Sequence, residues 1–129
     1  MENTEVQFMM FSYKKLYVKE TSLRRIIKEK MHEEYGPNWQ HIAPMKHHRR
    51  FIKPIDVINL HELLNYFNVF PPLFKVFNKR QKILLSQLPA IRNKIAHCHF
   101  LNSSAEALLH EIYSFVTLLN NKVSLEINT

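Results

Sequence analysis

Arg92-Asn93-Lys94-Ile95-Ala96-His97 carries the chemistry most readily available to this chain. An arginine supplies a permanent planar cation that can fork onto a phosphate. Five residues on, a histidine supplies a base that titrates near neutrality. Those two groups suffice in principle to cut RNA without a metal, because RNA brings its own nucleophile, the 2′-hydroxyl. Asn93 adds a polar group beside them, and Ala90 and Ala96 keep the surroundings small. The same pattern also suits an ordinary helix C-terminus, where cations bond free carbonyls and meet the negative end of the dipole.

Geometry decides which way these side chains point. With residues 84–97 helical at about 100° per residue, Leu84, Leu88, Ile91 and Ile95 fall within a sector of roughly 60°, the core face. His97 then lies about 150° from its centre, with Asn93 one turn below it on the same side. Arg92 stands on the flank, about 70° from the centre, with a stem long enough to swing toward the histidine. A site built here opens to solvent or to a second subunit.

The elements that must hold this segment read as helices. A single glycine in 129 residues leaves little for the turns and bulges of an all-β fold. Leu16, Leu23, Ile26, Ile27 and Met31 predict one long helix or two abutting ones from about Val6 to Tyr35, with Thr21 and Ser22 as a place to break. Gly36 and Pro37 stop it. Trp39 is expected as a packing anchor, and Pro44 as an interruption of the stretch to Phe51. Asn59 and Glu62 predict a capped short helix, Leu60 to Tyr66, and Pro71-Pro72 a turn. Asn78 predicts the cap of a helix from Lys79 to Leu88. Pro89 then either kinks that helix or opens a new one. Ser103-Ser104-Ala105-Glu106 reads as a capping box ahead of a core stripe of Ala105, Leu108, Ile112, Phe115 and Leu119. The sum is all-α: one domain over residues 1–129, an antiparallel bundle of four to five helices.

Charge sets the class of partner. Lys plus Arg outnumber Asp plus Glu by 18 to 11, a net +7 that favours polyanions. Lys46-His47-His48-Arg49-Arg50 fits a phosphate-tracking patch, with Lys46, Arg49 and Arg50 as candidate RNA contacts, and fits a solvated loop as well. Lys79, Arg80 and Lys82 could extend such a path. Phe67, Phe70, Phe74 and Phe77 surround the double proline as core or dimer contacts, with base stacking the lesser alternative.

His97-Cys98-His99 makes a poor metal site, since consecutive side chains seldom reach one ion and no second cysteine completes a set. No cofactor is expected. One cysteine excludes an internal disulfide and suits a reducing compartment. The acidic N-terminus and the short Phe8–Phe11 apolar run do not make a signal segment, and no stretch reaches the ~20 apolar residues of a membrane span. A cytoplasmic protein is expected.

The hexapeptide resembles the Arg-four-residues-His signature of the HEPN superfamily (higher eukaryote and prokaryote nucleotide-binding domains), where Asn or Asp often follows the arginine. Leu23-Arg24-Arg25-Ile26-Ile27, followed by Tyr35-Gly36-Pro37-Asn38-Trp39, is similar to a pattern in a HEPN branch of RNA-surveillance and anti-phage proteins. The resemblance covers roughly residues 20 to 120. It implies a helical bundle that dimerises so that two Arg/His pairs line one cleft, and metal-independent cleavage of single-stranded RNA to 2′,3′-cyclic phosphate and 5′-hydroxyl ends. His97 would be the general acid or base, Arg92 the phosphate holder, Asn93 an orienting group, and Lys94 a further RNA contact. Roles as a toxin or anti-phage effector follow, with an antitoxin or regulatory protein as a possible partner. Other members have lost catalysis and serve as dimerising modules. In antitoxin-modified HEPN toxins a tyrosine stands two residues after the histidine. Here that position is His99, so the likeness does not extend to that control.

Overall fold

Leu16, Leu23, Ile26, Ile27 and Met31 all face inward from one unbroken helix, α1 (Glu2–Tyr35), in a computed structural model that describes residues 2–46, 54–96 and 102–127. The expected break at Thr21 does not occur. Its hydroxyl donates to the carbonyls of Tyr17 and Val18 at 2.9 and 3.0 Å, which removes the competition a free hydroxyl offers the helix. Gly36 ends the helix at φ +82°, a conformation that costs glycine least, and its N–H returns to the His32 carbonyl at 2.8 Å.

α2 (Trp39–Lys46) follows at once and runs through Pro44, contrary to the expected interruption. A proline there forfeits one backbone bond. Trp39, Ala43 and Pro44 are all buried, and that packing offsets the loss. Trp39 is the anchor foreseen. The segment around a 3-10 turn at Ile55–Val57 is fastened from three sides. Arg24 donates to the carbonyls of Ile55 and Ile58, Gln40 accepts from the Ile55 N–H, and Lys28 meets Asp56 at 2.7 Å.

α3 (Leu60–Val69) opens on Asn59, whose Oδ1 accepts from the Glu62 N–H at 2.8 Å. It outruns the expected end at Tyr66, because Phe67 still faces the core, and stops where Phe70 turns extended ahead of Pro71. A 3-10 turn, Pro71–Leu73, leads to α4 (Lys79–Ser86), which Asn78 and Gln81 cap reciprocally. Then comes α5 (Leu88–Ala96), with Pro89 in its first turn, where no partner awaits an N–H. Gln87 between them stays in the right-handed helical region, φ −86° and ψ −12°. The path therefore bends rather than reverses, and with α2, which the sequence does not mark as a helix, the described residues hold six α-helices where four to five are expected.

α6 (Ser103–Ile127) is capped one residue earlier than its sequence suggests. Asn102 Oδ1 accepts from the Ala105 N–H at 2.8 Å, so Asn102, not Ser103, is the cap. The buried line is Leu109, Ile112, Val116 and Val123, while Ala105, Leu108, Phe115 and Leu119 flank it half-buried. Phe67, Phe77 and Phe115 interlock with ring centres 5.0 and 5.6 Å apart and join the middle of the chain to α6. The described residues form an all-α bundle without strands, and no helix among them is long and apolar enough to cross a membrane.

Candidate active site at the exposed edge of α5

Leu88, Ile91 and Ile95 are buried, which fixes the rotation of α5 and leaves Arg92, Asn93 and Lys94 outward. In α4 the fully buried position is Leu85, with Leu84 half-buried, because the kink at Gln87 shifts the register expected of one straight helix.

Arg92 is not a free cation. Its Nε donates to Glu20 Oε1 at 3.2 Å, and Glu20 Oε2 lies 3.6 Å from Arg24 on the same helix. Arg24 in turn holds the Ile55 and Ile58 carbonyls. The carboxylate is thus set between two guanidiniums, one of them pinned to backbone. With one negative charge between two positive ones, the cluster keeps a unit of positive charge. The Arg92 side chain remains 48% exposed against 19% for Glu20, so an anion from solvent can reach it. Bidentate guanidinium recognition of phosphate needs this kind of access.

The foreseen site residues divide in three. Arg92, Asn93 and Lys94 lie together on the exposed side of one helix. Lys46 is exposed at the far end of α2, with its ammonium 5.5 Å over the Tyr35 ring. His97, Arg49 and Arg50, like the His97-Cys98-His99 triplet, lie outside the described residues. Among the described residues, no three His, Cys, Asp or Glu side chains gather as metal ligands would.

Two groups escaped the sequence reading. Glu20 is one. Its partner stands 72 positions away, and no local pattern announces that contact. Lys19 is the other. It is 0% exposed, its Nζ has no hydrogen-bond partner, and it lies 5.9 Å from the Tyr113 ring centre. Burial, then the neighbouring Lys15 charge, lowers its pKa from 10.5 to about 7. Its spacing, three residues after Leu16 and four before Leu23, put it within the apolar stripe all along.

The family model for Swt1-like HEPN domains matches residues 14–120. The chain belongs to the Swt1-like HEPN family. The match takes in α1 from Lys14 onward, the Glu20–Arg92 cluster and the whole Arg92–His97 hexapeptide. HEPN domains are in general nuclease-like, with ribonuclease-type function the usual assignment. No curated protein and no solved structure matches the chain.

Proposed function

We propose that this HEPN domain is a metal-independent endoribonuclease that cuts single-stranded RNA, working as a homodimer in the cytoplasm as a toxin or anti-phage effector. The observation that carries the reading is the placement of Arg92. It stands half-exposed on the outer edge of α5, braced by Glu20 and Arg24, five residues before a histidine.

In this mechanism the scissile phosphate takes the outer face of the Arg92 guanidinium, competing with Glu20 for it. His97 accepts the proton of the 2′-hydroxyl, and the 2′-oxygen forms its bond to phosphorus. The bond from phosphorus to the 5′-oxygen breaks, and that oxygen leaves with a proton from the same histidine of a second copy. Arg92 stabilises the charge that accumulates on the non-bridging oxygens. The products are a 2′,3′-cyclic phosphate and a 5′-hydroxyl. Asn93 orients the imidazole or phosphate, and Lys94, Lys46, Arg49 and Arg50 attract the strand.

A face of α1 supports the homodimer. Met10, Tyr13 and Tyr17 are exposed at three- and four-residue steps, and the next steps are Glu20 and Arg24. An apolar stripe that runs into the Arg92 cluster would let a second copy cover the stripe while bordering the site.

The Glu20–Arg92 pair also favours a second reading, a catalytically silent module that uses this edge to bind a partner, such as an antitoxin or regulatory protein. An arginine held by Glu20 would serve there as a structural clasp. Incubating purified protein with labelled single-stranded RNA in EDTA separates the two. Cleavage that Arg92→Ala and His97→Ala abolish supports the ribonuclease, and intact RNA supports the silent module.

A further inference from the structure

The 3-10 turn after α3 and the outer side of α4 enclose a shallow groove of about 670 Å³. Phe74, Lys75, Lys79, Lys82, Ile83 and Ser86 line it, and no carboxylate does. Of its three apolar members, Phe77 is buried at the base, whereas Phe74 at 43% and Ile83 at 54% are exposed; Phe67 and Phe70, around the same double proline, are buried as well. Of these four phenylalanines three are packed, and Phe74 alone stands exposed at the cationic hollow.

The cations are available. Lys75 and Lys79 make no ion pair among the described residues, whereas neighbouring Arg80 is spent on Glu111 at 2.6 Å. Lys82 has only a long contact, 3.4 Å, to the Phe67 carbonyl. The helix end itself contributes nothing, since Asn78 and Gln81 already cap it. What remains is a set of ammonium groups around an exposed aromatic ring, the combination that holds phosphates and stacks a base.

The groove also points somewhere. Lys79, Lys82, Ile83 and Ser86 follow each other at helical steps along α4. Beyond the Gln87 kink, α5 continues directly from α4 and presents Ala90, Asn93 and Lys94, all exposed. From Lys79 to Lys94 a helical rise covers roughly 22 Å, the span of a few extended nucleotides.

We infer that this groove is the strand-binding subsite of the domain: Lys75, Lys79 and Lys82 hold successive phosphates of a single-stranded RNA, and Phe74 stacks one base, leading the strand along α4 to the Arg92 edge. The inference rests on the ribonuclease reading for what happens at that edge, though not for the binding itself. An A-form duplex keeps its bases inside and gives Phe74 nothing to stack on, so the occupant is a single strand.

The test is fluorescence anisotropy of a uniformly 2′-O-methylated RNA strand, which binds but lacks the attacking hydroxyl, titrated with the full chain over a range of salt. Lys75→Ala/Lys79→Ala is expected to weaken binding about tenfold or more at low salt and to lower the salt slope by roughly 1.4, at about 0.7 per lost phosphate contact on a single strand. Lys14→Ala/Lys122→Ala removes the same charge from exposed positions elsewhere, and should change affinity about threefold at most. Phe74→Ala should cost roughly five- to a hundredfold on the single strand, with little effect on a duplex. Equal losses for the two lysine pairs, duplex binding as tight as single-strand binding, or an acidic peptide that competes as well as RNA would each overturn the inference. Because nothing is cut, the two claims fail separately. Binding without groove dependence removes the groove, and groove-dependent binding by a protein that leaves unmodified single-stranded RNA intact removes the ribonuclease.

Discussion

Lys19 and Arg92 are two cations held in opposite ways, and the contrast separates what the fold tolerates from what it presents. Lys19 is enclosed between α1 and α6, fully buried, without a hydrogen-bond partner, its ammonium pushed toward neutrality. Arg92 stands at the outer edge of α5, half-exposed, and meets a carboxylate that a second arginine already steadies. Lys19 is desolvated with no hydrogen bond to its ammonium, so its charge is a cost to folding. The α5 edge is open and polar, so its charge can be exchanged from Glu20 to an incoming phosphate. Lysine yields its proton under burial and arginine does not, so each residue type stands where its chemistry is bearable.

The largest effect expected from breaking this contrast is on catalysis. Arg92→Ala should lower RNA cleavage on the order of a hundred- to a thousandfold, the usual loss of one group that stabilises transition-state charge. Arg92→Lys should restore little of it, because a point charge cannot fork onto the phosphate. Initial rates under single-turnover conditions measure both, and near-wild-type rates for Arg92→Lys would show that charge alone is used.

Next in size is the partner carboxylate. Glu20→Gln removes the competitor for Arg92 while keeping its shape, so KM should fall about three- to tenfold with kcat little changed. A drop in kcat instead would mean that Glu20 positions the guanidinium for the reaction.

At the buried cation the readout is stability against pH. Lys19 binds its proton more weakly folded than unfolded, so between about 7 and its ordinary 10.5 the unfolded chain carries more protons. Stability should therefore rise with pH across that window and be flat below it. Tyr66 acts in the opposite sense, since burial and then Glu62 push its hydroxyl up to about 12. The folded chain holds that proton longer, and stability should fall from about 10 to 12. Lys19→Met should flatten the rising limb and raise Tm at neutral pH by roughly 5 °C or more. A lower Tm would show that the ammonium has a partner that stabilises it. The smallest effect is Tyr66→Phe, which removes a buried hydroxyl without a hydrogen-bond partner. It should leave Tm at pH 7 within about 2 °C and remove the alkaline decline.

What could be read from the sequence follows from how local each cause is. The caps at Asn59 and Asn78 and the stop at Gly36 are settled within four residues, and they were legible. The outward rotation of Arg92 was legible too, because Leu88, Ile91 and Ile95 dictate it. The cap of α6 falls on Asn102 rather than the expected Ser103, since both offer a good oxygen one residue apart and only the backbone chooses between them. The helix through Pro44 depends on Trp39 and Ala43 finding a tertiary surface, which periodicity does not reveal. Glu20 is the clearest case. It belongs to α1 by local rules and to the candidate site by a contact across 72 positions, so half of the Arg92 environment existed only in three dimensions.

The most direct measurement is cleavage of a labelled single-stranded RNA in EDTA by the wild type, Arg92→Ala and His97→Ala side by side, with end-group analysis of the fragments. The wild type should give 2′,3′-cyclic phosphate and 5′-hydroxyl ends, and both variants should leave the RNA essentially uncut. Intact RNA with the wild type, or equal cutting by all three proteins, would contradict it.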